Sequence, residues 1–157
     1  MEKLKTRVSF PLGNSFKART VPSRHRAVLK ALFYGEGTMG LQLEGANILI
    51  VEDEPLIALD IATALKIAGA TVTTTNSLKN AKVLVEHDGL SAAILDHVLH
   101  DGDSGYLCQR LTDRKIPFLI YSGLSDIEGP CRDAPHIAKP DNMNCLVAMT
   151  AQLLQQG

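Results

Sequence analysis

The chain has 157 residues, 45% hydrophobic and 4% aromatic with no Trp, enough for one globular domain with an aliphatic core and a tail. No apolar stretch approaches the ~18 residues a membrane-spanning helix needs, and Phe10-Pro11-Leu12-Gly13 breaks any secretory signal that Lys3, Lys5 and Arg7 would introduce. The net charge of −1 hides a division: residues 1–45 carry eight Lys/Arg against three Asp/Glu, and the rest carries eight against fourteen.

The basic segment 1–45 lacks sustained periodicity and is predicted to be a disordered leader ahead of a folded domain over 46–157. Within it, Ser23 is placed to cap a short helix running through Val28, Ala31 and Leu32 to Tyr34. Arg24, Arg26 and Lys30 on that helix would suit an anionic partner. No binding motif accompanies the charge, however, so a nucleic-acid partner is not expected, and the residues before Met39 read equally well as an extension ahead of a later start.

From Ala46 onward strand and helix patterns alternate. Ile48–Val51 is an apolar strand. Leu56–Ala68 is a helix with Ile57, Ile61 and Leu65 every four residues and Gly69 to end it. Val72–Thr75 is β-branched and fits an outer strand. Ser77 caps a helix with Leu78, Ala81, Leu84 and Val85 facing inward, ending near Gly89. Ala92–Leu95 is a buried strand, and Tyr106–Arg114 a helix with Leu107 and Leu111 on one face. Ile116–Tyr121 is the next strand, with Pro117 near its start. Between Gly123 and Pro135, Pro130, Pro135 and two glycines leave room for only a turn or two of helix. His136–Ala138 is the last strand. Asp141 or Asn142 caps a final helix whose inner face is Met143, Leu146, Val147, Thr150 and Leu154. Near-continuous apolar strands joined by helical crossovers predict an α/β fold, a doubly wound five-stranded parallel sheet with a shortened or degenerate fourth helix.

The three cysteines, Cys108, Cys131 and Cys145, are odd in number and form no Cys-x-x-Cys pair, so neither a disulfide framework nor a thiolate zinc site is expected. Reduced thiols in a cytoplasmic protein fit better.

Four apolar runs each finish in a polar group, and the C-terminal ends of parallel strands converge on one edge, where ligands bind. Glu52, Asp53, Asp96, Ser122 and Lys139 would therefore share a crevice. Three carboxylates there stay ionised together only with a cation between them, and an all-oxygen donor set without thiolates suits Mg²⁺. Mg²⁺, the Lys139 ammonium and the Ser122 hydroxyl together match the oxygens of a phosphoryl group in transfer. No Gly-Lys-Ser/Thr loop follows the first strand, so the acceptor is most simply one of the carboxylates.

These pieces occur in family order and the sequence resembles the receiver (CheY-like, flavodoxin-like) domain of bacterial two-component response regulators. The matching segments are Ile48-Leu49-Ile50-Val51-Glu52-Asp53-Glu54-Pro55-Leu56-Ile57, Ile94-Leu95-Asp96, Tyr121-Ser122-Gly123 and Ala138-Lys139-Pro140, covering about 46–157. The resemblance implies that Asp96 accepts a phosphoryl group from a sensor histidine kinase. It implies that Asp53 and the Val98 backbone carbonyl join Asp96 as Mg²⁺ ligands, with Glu52 acting through water. Ser122 takes the place of the switch hydroxyl, Lys139 that of the lysine paired with the phosphoryl group, and Pro140 that of a proline that often follows a cis bond. Glu54 reads as a surface or first-turn helix residue. Such a protein catalyses its own phosphorylation and dephosphorylation rather than turning over external substrates, and it switches a contact with a downstream protein; a homodimer on phosphorylation is compatible with it.

Two features depart from the family pattern. His136 stands where many receivers carry a switch Tyr or Phe; it reads as that switch or as a solvent-facing residue. The short 123–135 segment cannot hold the usual fourth helix, a trait similar to stand-alone receivers that work with histidine kinases of the HWE/HisKA2 type. The chain ends soon after the final helix, so a stand-alone receiver is expected. His97, His100, Asp101 and Asp103 are expected to form a solvated loop rather than a transition-metal site. Two rival readings stay open: an unphosphorylated pseudo-receiver, and a metal-dependent phosphohydrolase. The latter usually needs an acid two residues beyond the nucleophile, where Val98 stands.

Overall fold

In this computed structural model the structure describes residues 42–156. The elements in chain order are β1 (Asn47–Val51), α1 (Pro55–Ile67), β2 (Thr71–Thr75), α2 (Leu78–Leu84), β3 (Ala92–Leu95), β4 (Val98–Leu99), β5 (Gly102–Asp103), α3 (Gly105–Asp113), β6 (Phe118–Ser122), a 3₁₀ turn (Gly129–Cys131), β7 (His136–Ala138) and α4 (Met143–Gln155). The helix expected from Ser23 to Tyr34 lies outside the described residues.

Five strands form one sheet in the order β2-β1-β3-β6-β7, with every neighbouring pair parallel. Alternation along β1 sorts the core into two layers. Ile48 and Ile50 pack with Ile61, Leu65, Leu146 and Ala151 under α1 and α4. Leu49 and Val51 pack with Leu78, Ala81, Leu107 and Leu111 under α2 and α3. Both faces of the sheet are thus covered, which is why β1 and β3 read as unbroken apolar runs. Each fully buried Leu or Ile here stabilises the fold by about 1.5–3 kcal/mol. The edge strand β2 is mostly exposed, as its Thr-rich sequence predicts.

Local signals set the element ends. Pro55 occupies the first turn of α1, where its missing N–H costs nothing. Gly69 closes that helix with φ +99° and donates its N–H to Lys66 O. The Ser77 hydroxyl accepts from the Asn80 N–H to cap α2, which stops at Leu84, earlier than the expected end near Gly89. The Arg114 guanidinium donates to the Val85 carbonyl just past that end. β6 begins at Phe118, after Pro117, which cannot donate to a ladder. Asn142, one of the two expected caps, accepts from the Asn144 N–H at the head of α4. Leu43, which falls in the segment read as leader, is 1% exposed in the core and donates its N–H to Ala68 O.

Where a fourth full helix would stand, between β6 and β7, the described residues hold only the three-residue 3₁₀ turn. One expectation fails here. Cys108 and Cys131 are not free thiols; they form a disulfide across a sequence separation of 23, with Cα atoms 5.3 Å apart. No local motif announces the pair, because it is made by tertiary packing of the 3₁₀ turn on α3. Cys145 remains a free thiol.

Candidate functional site

The strand order reverses direction between β1 and β3, and a crevice opens at their C-terminal ends. Residues following β1 and β3 must therefore meet there. Val51 pairs with Leu95 in register, so Glu52, Asp53 and Asp96 leave the sheet side by side. The Asp96 N–H donates to Val51 O at 2.8 Å and fixes the register of this exit. Carboxylate oxygens of Glu52, Asp53 and Asp96 lie within 4.8 Å of one another.

Lys139 reaches the same point from the end of β7. Its Nζ donates to Glu52 Oε2 at 2.6 Å and to Asp96 Oδ2 at 2.8 Å. The Lys139 N–H donates to Ser122 O, and the Lys139–Pro140 bond is cis, so the expectation for Pro140 holds. Nζ also lies 5.5 Å from the centre of the Tyr121 ring, whose hydroxyl accepts from the Asp141 N–H.

Charge balance constrains what else the crevice takes. Three carboxylates and one ammonium leave two negative charges uncompensated. Glu52 is 2% exposed and Asp96 8%, so water does little to screen them. Burial pushes the Glu52 carboxyl above the usual carboxylate range, and the hydrogen bonds from Lys139 and from the Glu54 N–H pull it back only in part. Burial also works against the Lys139 ammonium, but its bonds to Asp96 and Glu52 outweigh that and leave its pKa raised. An excess of two negative charges on oxygen donors, without thiolate or imidazole among them, fits a hard divalent cation such as Mg²⁺.

The other expected residues fall as follows. Ser122, 2% exposed, ends β6 at the same edge, and its hydroxyl accepts from the Leu124 N–H at 3.3 Å. Val98 opens β4 two residues beyond Asp96. Glu54 precedes α1 as an exposed N-cap without a side-chain cap bond. His136 is half-buried on β7, with Nε2 3.4 Å from Ser122 O, beside an open depression of about 400 Å³ lined by Ser125, Asp126, Ile127, Glu128, Arg132 and Ala134. Its ring therefore faces the end of β6 on one side and this depression on the other.

The loop after Asp96 is more ordered than expected. Strands β4 and β5 pair antiparallel through a two-residue turn at His100–Asp101. The His100 N–H donates to Asp53 Oδ2 at 3.0 Å, so this hairpin holds one of the three carboxylates in place. Asp101 accepts from the Leu78 N–H at 2.8 Å and caps α2; that backbone bond, more than any other contact, holds its carboxyl below the usual range. Asp103 accepts from the Gly105 N–H at the start of α3. His97 Nδ1 lies 3.4 Å from the Ser104 hydroxyl. These side chains are spent on structure, and among the described residues the one cluster of ligand type is Glu52, Asp53 and Asp96. The readable signal was Asp101-Gly102 after the apolar pair Val98-Leu99.

A doubly wound parallel sheet with an acidic cluster at its switch point and a lysine from the last strand defines a receiver-type fold. No family model matches the chain. Among solved structures it is similar to SdrG from Sphingomonas melonis, 36% identical with a TM-score of 0.61 over 70% of this chain and 96% of that one. It is also similar to a response regulator receiver protein from Sinorhizobium medicae, 24% identical with a TM-score of 0.65 over 72% of this chain and 97% of that one. The transcriptional regulatory protein TcrA of Mycobacterium tuberculosis is 29% identical over 132 residues, 78% of this chain and 51% of that relative. The chain thus spans about half the length of the curated relatives it matches. Its fold is that of the receiver (CheY-like) domains of two-component response regulators, which its solved neighbours share.

Proposed function

We propose that the chain accepts a phosphoryl group on Asp96 from a sensor histidine kinase, with Mg²⁺ bound, and that this switches a contact with a downstream protein. The observation that carries the reading is the cluster of Glu52, Asp53 and Asp96 with Lys139 bridging two of its members. Asp53, Asp96 and the Val98 carbonyl would hold Mg²⁺, with Glu52 acting through water, and the ion would neutralise charge on the phosphoryl oxygens.

Lys139 restrains Oδ2 of Asp96, and among the described residues Oδ1 has no hydrogen-bond partner. Oδ1 is then the nucleophile. It forms the new O–P bond as the donor's P–N bond breaks, and the donor imidazole keeps that electron pair. The Lys139 ammonium stands beside the oxygens that gain negative charge. The Ser122 hydroxyl can turn from the Leu124 N–H towards a phosphoryl oxygen. Freed from that bond, Leu124 and the irregular segment after it change position, and His136, against Ser122 O, is placed to follow as the switch side chain. As in the receiver domains it resembles, this is chemistry on the protein's own carboxylate rather than turnover of an external substrate.

A receiver working without a covalently joined output domain is favoured by the match over 96% of SdrG. The half of TcrA left unmatched favours a joined one. The short 3₁₀ turn in place of a fourth helix is what motivates assignment to a kinase of the HWE/HisKA2 type.

Incubation with acetyl phosphate and Mg²⁺ tests the reading. The intact protein should gain the mass of one phosphoryl group, and chelation by EDTA or the change Asp96→Asn should abolish the gain. An unchanged mass with acetyl phosphate and with a kinase donor would favour the pseudo-receiver. Steady release of phosphate from a simple phosphate ester would favour the phosphohydrolase.

A further inference from the structure

The geometry points to Cys108 and Cys131 as a redox modification site: a disulfide opened and closed by thiol–disulfide exchange with a dithiol reductant, which fastens the 123–135 segment to α3. This goes beyond the receiver reading and does not depend on phosphorylation.

The first observation is that the disulfide is the segment's deepest anchor. Cys131 is its one buried residue, at 1% exposure, while Ile127, Ala134 and Pro135 are half-buried and all its other residues are exposed. Its backbone bonds around the turn are internal, from the Arg132 N–H to Gly129 O and from the Ala134 N–H to Cys131 O; beyond the turn, Pro135 O accepts from the Ile120 N–H, and Ile127 and Ala134 pack partly against the core. The anchor at the other end, Cys108, is 0% exposed on the inner face of α3. A single covalent link thus ties the least regular stretch of the domain to a regular helix.

The second observation is where the link sits. The Ser104 hydroxyl lies 3.7 Å from Cys131 Sγ and 3.4 Å from His97 Nδ1, and His97 directly follows Asp96. A disulfide sulfur carries no hydrogen, so Ser104 is the only donor available between Ser104 and Cys131. With His97 donating from Nδ1 to Ser104, the serine proton is free to point at sulfur, and a polar chain joins the phosphoacceptor's neighbour to the disulfide. The fastened segment also runs from Ser122 to His136, the two residues proposed to respond to phosphorylation. Cys145 takes no part: burial first, and then Asp141, push its thiol up to about 11, so little thiolate is available for exchange.

The exchange balances with a dithiol as reductant. Its thiolate attacks Cys131 Sγ, which is reached once the exposed flanks at Pro130 and Arg132 lift, and Cys108 leaves as a thiolate and takes up a proton. The reductant's second thiol then displaces Cys131 and closes its own disulfide. Two electrons and two protons pass to the protein in all.

The test uses the full chain, poised with glutathione disulfide or with dithiothreitol under native conditions, then unfolded in iodoacetamide and weighed. One label is expected after glutathione disulfide, on Cys145, and three after dithiothreitol, with the change reversed on reoxidation. Amide hydrogen exchange over 127–134 should be about tenfold faster in the reduced protein, with the β1 and β3 amides unaltered. Cys145→Ser should keep both responses. Cys131→Ser and Cys108→Ser should each exchange at the fast rate in either buffer, and the pair of variants guards against one failing to fold. Three labels after glutathione disulfide would overturn the inference. So would a link that dithiothreitol cannot open without unfolding the protein, since that is a structural staple. Equal exchange over 127–134 in the two redox states would overturn it as well.

Discussion

Replacing Lys139 by Met keeps the aliphatic stem and removes the one cation that, among the described residues, touches Glu52 and Asp96. The bonds lost are 2.6 and 2.8 Å long, to side chains 1% and 10% exposed, from a lysine side chain 14% exposed. A solvent-exposed pair of this kind would be worth about 1 kcal/mol or less, whereas breaking a buried one costs about 3–5 kcal/mol. The crevice sits at the sheet edge, so the low end applies and Lys139→Met should lose about 3 kcal/mol at neutral pH. For a folded body of this size that lowers the melting temperature by roughly 12 °C. The loss should also depend on pH. Glu52 is already raised above 4.5 by burial, and without the ammonium it rises further. Between 4.5 and the folded value the native state binds more protons than the unfolded one, so stability increases as pH falls through that window. The variant has the wider window and recovers more on acidification. Lys139 itself, raised above 10.5 in the wild type, contributes fully below 10.5 and fades only as pH rises through its folded value. Urea unfolding of both proteins at about pH 7 and about pH 5, in chelator-treated buffer, measures the difference. Adding Glu52→Gln to the variant should restore more than half of the loss. A deficit below about 0.5 kcal/mol at pH 7, or an equal deficit at both pH values, would refute the reasoning, since either means that solvent already screens the cluster.

Mg²⁺ should stabilise the wild type, by about 2.7 kcal/mol at a hundredfold excess over its Kd, and thermal melts should show no such gain for Asp53→Asn. Leu107→Ala, at a fully buried position on α3, should cost about 3 kcal/mol in urea unfolding without abolishing phosphorylation. Asp101 is held below 3.8 by the Leu78 N–H, so its contribution is present above 3.8 and disappears as pH falls through the folded value. Asp101→Asn should remove that part of the acid unfolding profile and speed amide exchange at Leu78. Ser122→Ala should still take up a phosphoryl group but should leave amide exchange over 123–135 unchanged on phosphorylation, whereas the wild type responds.

Much of this is legible in the sequence because the elements that carry the site are strongly patterned. Ile48–Val51 and Ala92–Leu95 are apolar without interruption, which only a strand covered on both faces demands, and each is followed at once by acids. Parallel pairing then gathers Glu52, Asp53 and Asp96 with no further information. Lys139 was legible for the same reason, at the end of the last strand. The hairpin over 98–103 was missed because its strands, Val98–Leu99 and Gly102–Asp103, are only two residues long, too short for any alternation to show; nothing in His97-Val98-Leu99-His100 shows that the His100 N–H would point at Asp53. The Cys108–Cys131 link was missed because pairing between a helix and a 3₁₀ turn depends on how a segment without periodicity packs, and cysteine spacing does not encode that. The early end of α2 at Leu84 reflects tertiary context: Arg114 satisfies the Val85 carbonyl from outside, so the helix need not continue to Gly89.

The central claim is a covalent acyl phosphate on Asp96, and chemical trapping reads it at the residue. Protein treated with acetyl phosphate and Mg²⁺, then reduced with borohydride and digested, should carry the reduced side chain at Asp96 and at no other Asp or Glu, and Asp96→Asn should carry none. Trapping at Asp53 or Glu52 instead, or an unreduced Asp96 in protein that has gained a phosphoryl group, would contradict the account.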